Sequence, residues 1–133
     1  ATIVLTTSSG SAQVLSAPSN QAQPSPQVME KKLLFALVYR PGPKWRMGKP
    51  FREQIAIMEH FAYMKRLFAN GQIFAAGGMG TENGLVLLYA RDQAEAEAIL
   101  AGDPMVQAGS FAGDIRRYTP AFLSDRPLTV AGE

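Results

Sequence analysis

The stretch Phe51–Gly71, FREQIAIMEHFAYMKRLFANG, decides the fold. At about 100° per residue, Ile57, Phe61, Met64 and Phe68 fall on one narrow stripe, which predicts a single amphipathic helix over Arg52–Gly71. Asn70-Gly71 ends it with a left-handed C-terminal cap. His60, the only histidine, lies about 60° from that stripe beside Leu67, on the border of the buried face. A side chain there touches both the core and a solvent-filled cleft.

Working upstream, Leu33–Arg40 (LLFALVYR) is a continuous apolar run of strand length, rich in aromatic and branched residues. It reads as a central strand covered on both faces. Pro41-Gly42-Pro43 ends it, and a loop of about eleven residues reaches Phe51, longer than most strand-to-helix links. With its edges the loop carries Arg40, Lys44, Arg46, Lys49 and Arg52 and no acid, with Trp45 in the middle. Two readings stand for it. Either the arginines hold an anionic substrate over a site with Trp45 as a lid, or this is a solvated basic loop.

Downstream, Gln72–Gly77 is a short strand running into Gly77-Gly78-Met79-Gly80, and Glu82-Asn83-Gly84 carries a hairpin signature before the strand Leu85–Arg91. The glycine run lacks a following helix and a Lys-Ser/Thr pair, so it reads as backbone close to a pocket or a plain turn, not a phosphate loop. Asp92 with Glu95 forms a capping box for a second helix that Gly102 ends. Asp103-Pro104 opens a short helical turn, and Ser110–Tyr118 is the last strand. The order strand, helix, strand, strand, helix, strand predicts an α+β fold, a ferredoxin-like βαββαβ sandwich. Two helices cover one sheet face, and the other would leave an apolar surface larger than monomers usually expose. A homodimer formed through the sheet is the simplest remedy. Tyr39, Phe74 and Tyr118 face either a pocket or that interface.

The chain of 133 residues holds one domain with a real core, and its 47% apolar and 18% charged residues are those of a globular protein. The 13 basic and 11 acidic residues all lie at or after Glu30. Residues 1–29, rich in Ser, Ala, Gln and Pro, are expected to be a disordered leader. The apolar Ala1–Thr7 and the small residues Gly10-Ser11-Ala12 resemble the end of an export signal, which would place the protein in the periplasm; an ordinary floppy terminus would leave it cytoplasmic. The domain spans 30–123, with a tail at 124–133. A net charge of +2 does not imply nucleic acid, and the strand LVLLYAR lacks the aromatic stacking motif of RNA-binding sheets. No apolar run is long enough to span a membrane. With one histidine and no cysteine, a metal site is poorly supplied with ligands.

These residues resemble the YCII-related family over Leu33–Phe122. The match rests on His60 in the first helix with Gly71 eleven residues later, a short strand ending at Gly77, Asp103-Pro104 with Gly109 behind it, and a last strand ending near Pro120-Ala121-Phe122. The resemblance implies a dimeric α+β barrel, related to muconolactone isomerases and to a dehydrochlorinase acting on a chlorinated hydroxyquinol. It also implies a His–Asp pair facing a pocket, here His60 and Asp103, as acid–base machinery that needs no cofactor. A carboxylate beside an imidazole fixes its tautomer and raises its basicity, so the ring can take and return a proton. Two positions depart from the family pattern: Met105 stands where an aromatic is common, and Gly78 where a proline is. The expected ligand-binding residues are Tyr39, Arg40, Trp45, Arg52, Phe74, Gly77 and Met105, around a small cyclic or phenolic compound. A non-catalytic binding protein using the same pocket is the alternative.

Overall fold

The structure, a computed structural model, describes residues 32–131. The leader expected over 1–29 and the last two residues of the tail lie outside that range. The described chain contains strand β1 (Leu33–Pro41), helix α1 (Ile57–Ala69), strands β2 (Ile73–Met79) and β3 (Asn83–Ala90), helices α2 (Gln93–Ala101) and α3 (Pro104–Gln107), and strand β4 (Phe111–Arg117). The sheet runs β2-β3-β1-β4, antiparallel throughout. This is the ferredoxin-like α+β order that the alternation of elements predicts.

Alternation along β1 sorts its side chains between two faces. Phe35, Leu37 and Tyr39 are buried and join Val86, Leu88 and Ala90 of β3 in one core with Ile57 and Leu67 of α1 and Ala96 and Ile99 of α2. Within the chain β1 is therefore covered on one face. Leu34, Ala36 and Val38 line up in register with Tyr89, Leu87 and Leu85 on the other.

Helix α1 starts five residues later than the periodicity predicts, and the reason is Gln54. Its buried side-chain amide accepts from Arg46 N at 2.7 Å and donates to the carbonyls of Arg46 and Lys49 at 3.1 and 3.0 Å. That fastens the long loop from inside, leaving a separate 3-10 turn at Phe51–Glu53 and then Ala56 in the left-handed region at φ 70°. The far end stops as its sequence says. Gly71 has φ +80°, Gln72 N–H reaches Leu67 O at 2.9 Å, and Gly71 N–H reaches Phe68 O at 3.0 Å, which is a Schellman cap.

The buried stripe of α1 is rotated from the expected one. Ile57, His60 and Leu67 are buried, whereas Phe61 is 43% exposed and Phe68 65% exposed. His60 thus belongs to the buried face. The β2–β3 turn is also displaced: it is Gly80-Thr81-Glu82, and Asn83-Gly84 already belongs to β3, opposite Met79 and Gly78. Gly80 supplies the positive φ of 67° that the turn needs.

The loop after β1 is stitched to the start of β4. Gly42 N–H donates to Ser110 O at 2.9 Å and Lys44 N–H to Gly109 O at 2.8 Å. The approach is so close that a Cβ at Gly42 would stand 2.4 Å from Gly109 O. Trp45 is drawn inward by the same stitching and stacks on Phe111, with ring centroids 5.9 Å apart.

Candidate active site

Three separate elements bring the site together. Asp103 ends the α2–α3 connection and caps α3, its Oδ1 accepting from Met105 N–H at 2.9 Å. The capping geometry turns the other oxygen toward α1 and β1. There Oδ2 lies 2.8 Å from His60 Nδ1 and accepts the hydroxyl proton of Tyr39. All three side chains are enclosed: Asp103 is 0%, Tyr39 2% and His60 6% exposed. A buried carboxylate is tolerable only with such donors around it. With the carboxylate accepting, Nδ1 carries a proton, and in the neutral ring Nε2 keeps the lone pair.

That second nitrogen has no hydrogen-bond partner among the described residues, and the His60 ring lines a cavity of about 390 Å³. Phe61 and Met64 of α1, Phe51 of the 3-10 turn and Phe111 of β4 form the aromatic-rich wall, and the rings of Phe51 and Phe111 stand edge-on to His60. Gly77, Gly78, Gly84 and Asn83 form the sheet side. No lining side chain is an acid, a lysine or an arginine. The cavity offers apolar walls and few polar groups, the usual make-up of a small-molecule site.

The expected residues divide accordingly. His60, Tyr39 and Gly77 line the cavity, and Asp103 lies behind His60. Arg40 projects from the other side of the sheet and pairs with Asp114 at 2.8 Å, because β1 alternation puts it opposite in sense to Tyr39. Phe74 is 52% exposed and meets Tyr89 edge-on beside the β2 bulge. Arg52 is exposed on the 3-10 turn, outside the cavity lining. Trp45 and Met105 are core residues, the first under Phe111 and the second beneath the Asp103 cap, so Trp45 is no lid. The sequence reading missed Phe51, Phe61, Met64, Phe111, Asn83 and Gly84. Of these, Phe61 and Met64 stood on the quoted stripe, but nothing in a wheel tells a core position from a cavity wall.

Burial, then the charge of Asp103, then the hydrogen bond to it hold the Tyr39 phenol proton far above the ordinary tyrosine range; burial also raises Tyr63, whose hydroxyl donates to Ile99 O at 2.7 Å. The linkage has a definite sign. A folded-state pKa above the unfolded one gives stability that is complete below the unfolded value near 10 and declines as pH rises beyond it. Native stability is therefore expected to fall above about pH 10, with Tyr39 contributing up to about 1.4 kcal/mol per pH unit. Urea melts across that range should show a shallower decline in Tyr39→Phe. Phenolate absorbance should show Tyr39 staying protonated until the chain unfolds.

A family model described as the YCII-related domain matches residues 34–118. No curated protein matches the chain. Among solved structures, that of 5-chloro-2-hydroxyhydroquinone dehydrochlorinase (TftG) from Burkholderia phenoliruptrix AC1100, in complex with 2,5-dihydroxybenzoquinone, is similar with a TM-score of 0.49 and 25% identity. It covers 64% of this chain and 93% of that one. The matched family span runs from β1 through β4 and includes His60 and Asp103, and the chain belongs to the YCII-related family.

Proposed function

We propose that this protein is a cofactor-independent acid–base enzyme acting on a small cyclic or phenolic compound. The observation that carries the reading is His60, with Nδ1 fixed 2.8 Å from a fully buried Asp103 and its ring lining the cavity. Nε2 takes a proton from a bound C–H or O–H and returns it to a different atom, which is an isomerisation, or keeps it while a neighbouring group departs, which is an elimination. Asp103 holds the ring and offsets the positive charge that it acquires. The uncharged, aromatic-rich lining supports a neutral or phenolic ligand over a carboxylate.

The test is a thermal-shift screen of phenols, quinols and lactones, followed for each hit by deuterium incorporation from heavy water. Enzyme activity predicts exchange that is lost in His60→Ala. Hits that bind wild-type protein without exchanging any hydrogen would leave a binding protein in place of an enzyme.

The proposed assembly is a homodimer through the open sheet face, where Leu34, Ala36 and Val38 of β1 lie beside Tyr89, Leu87 and Leu85 of β3. Sedimentation should give twice the chain mass of 14.4 kDa, and Val38→Asp with Leu87→Asp should halve it. A wild-type monomer at micromolar concentration would sink the sheet dimer.

A further inference from the structure

Packing accounts for the ring of Tyr39 but not for its hydroxyl. The ring stacks on Phe111 with centroids 4.7 Å apart and meets the His60 ring edge-on at 5.6 Å. Phe35 and Leu37, its buried neighbours on the same strand, are apolar, and a phenylalanine would make the same ring contacts. The hydroxyl instead donates to Asp103 Oδ2, the oxygen that lies 2.8 Å from His60 Nδ1. Asp103 Oδ1 is already taken by Met105 N–H at 2.9 Å. Two donors therefore share one carboxylate oxygen.

That sharing bears on what His60 can do. With the carboxylate 0% and the imidazole 6% exposed, little water competes for either group. A carboxylate with no other side-chain donor would draw the ring toward the imidazolium form, in which Nε2 carries a proton and is no base. A second donor on Oδ2 takes up part of that negative charge and weakens the pull on the ring. Burial, then the charge of Asp103, keep the phenol protonated, so Tyr39 remains a donor throughout the range in which a histidine titrates.

No other charged group competes for this role. Asp103 from the α2–α3 connection and Tyr39 from β1 are the titratable side chains bonded to one another around His60. The 3-10 turn and β4 place the rings of Phe51 and Phe111 against it, and Tyr63 of α1 donates to Ile99 O instead. The cavity side holds no acid, lysine or arginine.

We infer that Tyr39 is a positioning residue for the proposed reaction: its hydroxyl, by occupying Asp103 Oδ2, keeps His60 Nε2 available as a base at a lower pH than the His–Asp pair alone would allow. This rests on His60 as the base and adds the group that sets its working range.

The experiment follows the single histidine by nitrogen-15 NMR across pH in the full chain, with no ligand present. In Tyr39→Phe the titration midpoint should rise by about one pH unit relative to wild type. The second sample is wild-type chain labelled with a fluorotyrosine whose fluorine stands beside the hydroxyl. Its phenol is a stronger donor, and the midpoint should move down. Deuterium exchange into the screened phenols, quinols and lactones should show its rising limb displaced upward in Tyr39→Phe by the same interval. A folded Tyr39→Phe chain with the wild-type midpoint would overturn the inference and leave proton transfer by His60 standing. Should Tyr39→Phe lose its melting transition, the labelled chain decides: an unmoved or raised midpoint there overturns the inference. Displaced midpoints in a protein that exchanges none of these compounds would remove the reaction, and Tyr39's part in it, while leaving the hydroxyl in control of His60.

Discussion

Asp103→Ala is expected to lower the melting temperature by about 12 °C or more, a large effect for a single residue. The carboxylate is fully buried and serves three donors at once: Tyr39 Oη–H, His60 Nδ1–H and Met105 N–H. Alanine leaves the first two as buried donors without acceptors, at about 1–3 kcal/mol each. It also removes the cap of α3, at about 1 kcal/mol. These losses share one oxygen pair and will not add fully, so about 3–5 kcal/mol is the expected sum. For a domain of this size each kcal/mol moves the midpoint by about 4–8 °C. Asp103→Asn keeps the volume and remains a good cap, so it should cost clearly less. Thermal melts by circular dichroism decide the matter. An alanine variant within a few degrees of wild type would mean that water reaches the site and replaces the carboxylate.

The two halves of this prediction were unequally legible in the chain. Asp103-Pro104 announces a cap, because the signals for a helix start are local: an acceptor side chain, then a proline whose missing N–H costs nothing at that position. The Schellman stop at Gly71 and the Asp92 cap, whose Oδ1 accepts from Glu95 N–H at 2.8 Å, were readable for the same reason. The strand–helix order followed from such stops together with the apolar periods between them. Tyr39 and Asp103 were both expected at the site but their hydrogen bond was not, since the two residues are 64 positions apart in the chain. Its position on the buried face of β1 was recoverable from alternation, and that alternation also sends Arg40 to the other side, where it pairs with Asp114.

Other failures share a physical cause. The helix wheel extended α1 back to Arg52 because Arg52–Ala56 contain no proline or glycine to break it. Only the buried amide of Gln54, satisfying loop carbonyls at 3.0–3.1 Å, shows why the chain leaves the helical path there. The loop cations attracted a substrate-clamp reading through composition alone. In the fold Arg46 instead donates to Glu53 O at 3.2 Å, and Lys49 lies 3.7 Å from Glu53. The cavity was legible in its histidine and its glycine run, but its aromatic wall was not. Phe61 and Met64 carry the same apolar signal whether they fill a core or border a void.

In the final prediction, Asp103→Asn is expected to reduce proton exchange at saturating ligand by about 10²–10⁴-fold, close to the loss in His60→Ala, while binding changes little. In the wild type, Oδ2 accepts from Nδ1 and leaves the lone pair of the neutral ring on Nε2, and the ring lines the cavity. Asparagine cannot offer two acceptor oxygens. With its oxygen kept by Met105 N–H, its amide nitrogen must face the imidazole as a donor. Nδ1 then becomes the acceptor and the ring proton moves to Nε2, so the cavity meets a donor where it had a base. The backbone and the cavity walls stay as they were, which is why affinity for a neutral ligand should hold while the rate falls. Nitrogen-15 NMR of the single histidine reads the tautomer directly, without assignment. A proton on Nδ1 in the wild type and on Nε2 in Asp103→Asn, accompanied by the loss of exchange, ties the chemistry to the pair. Unchanged exchange in an asparagine variant whose tautomer has switched would remove His60 Nε2 as the base.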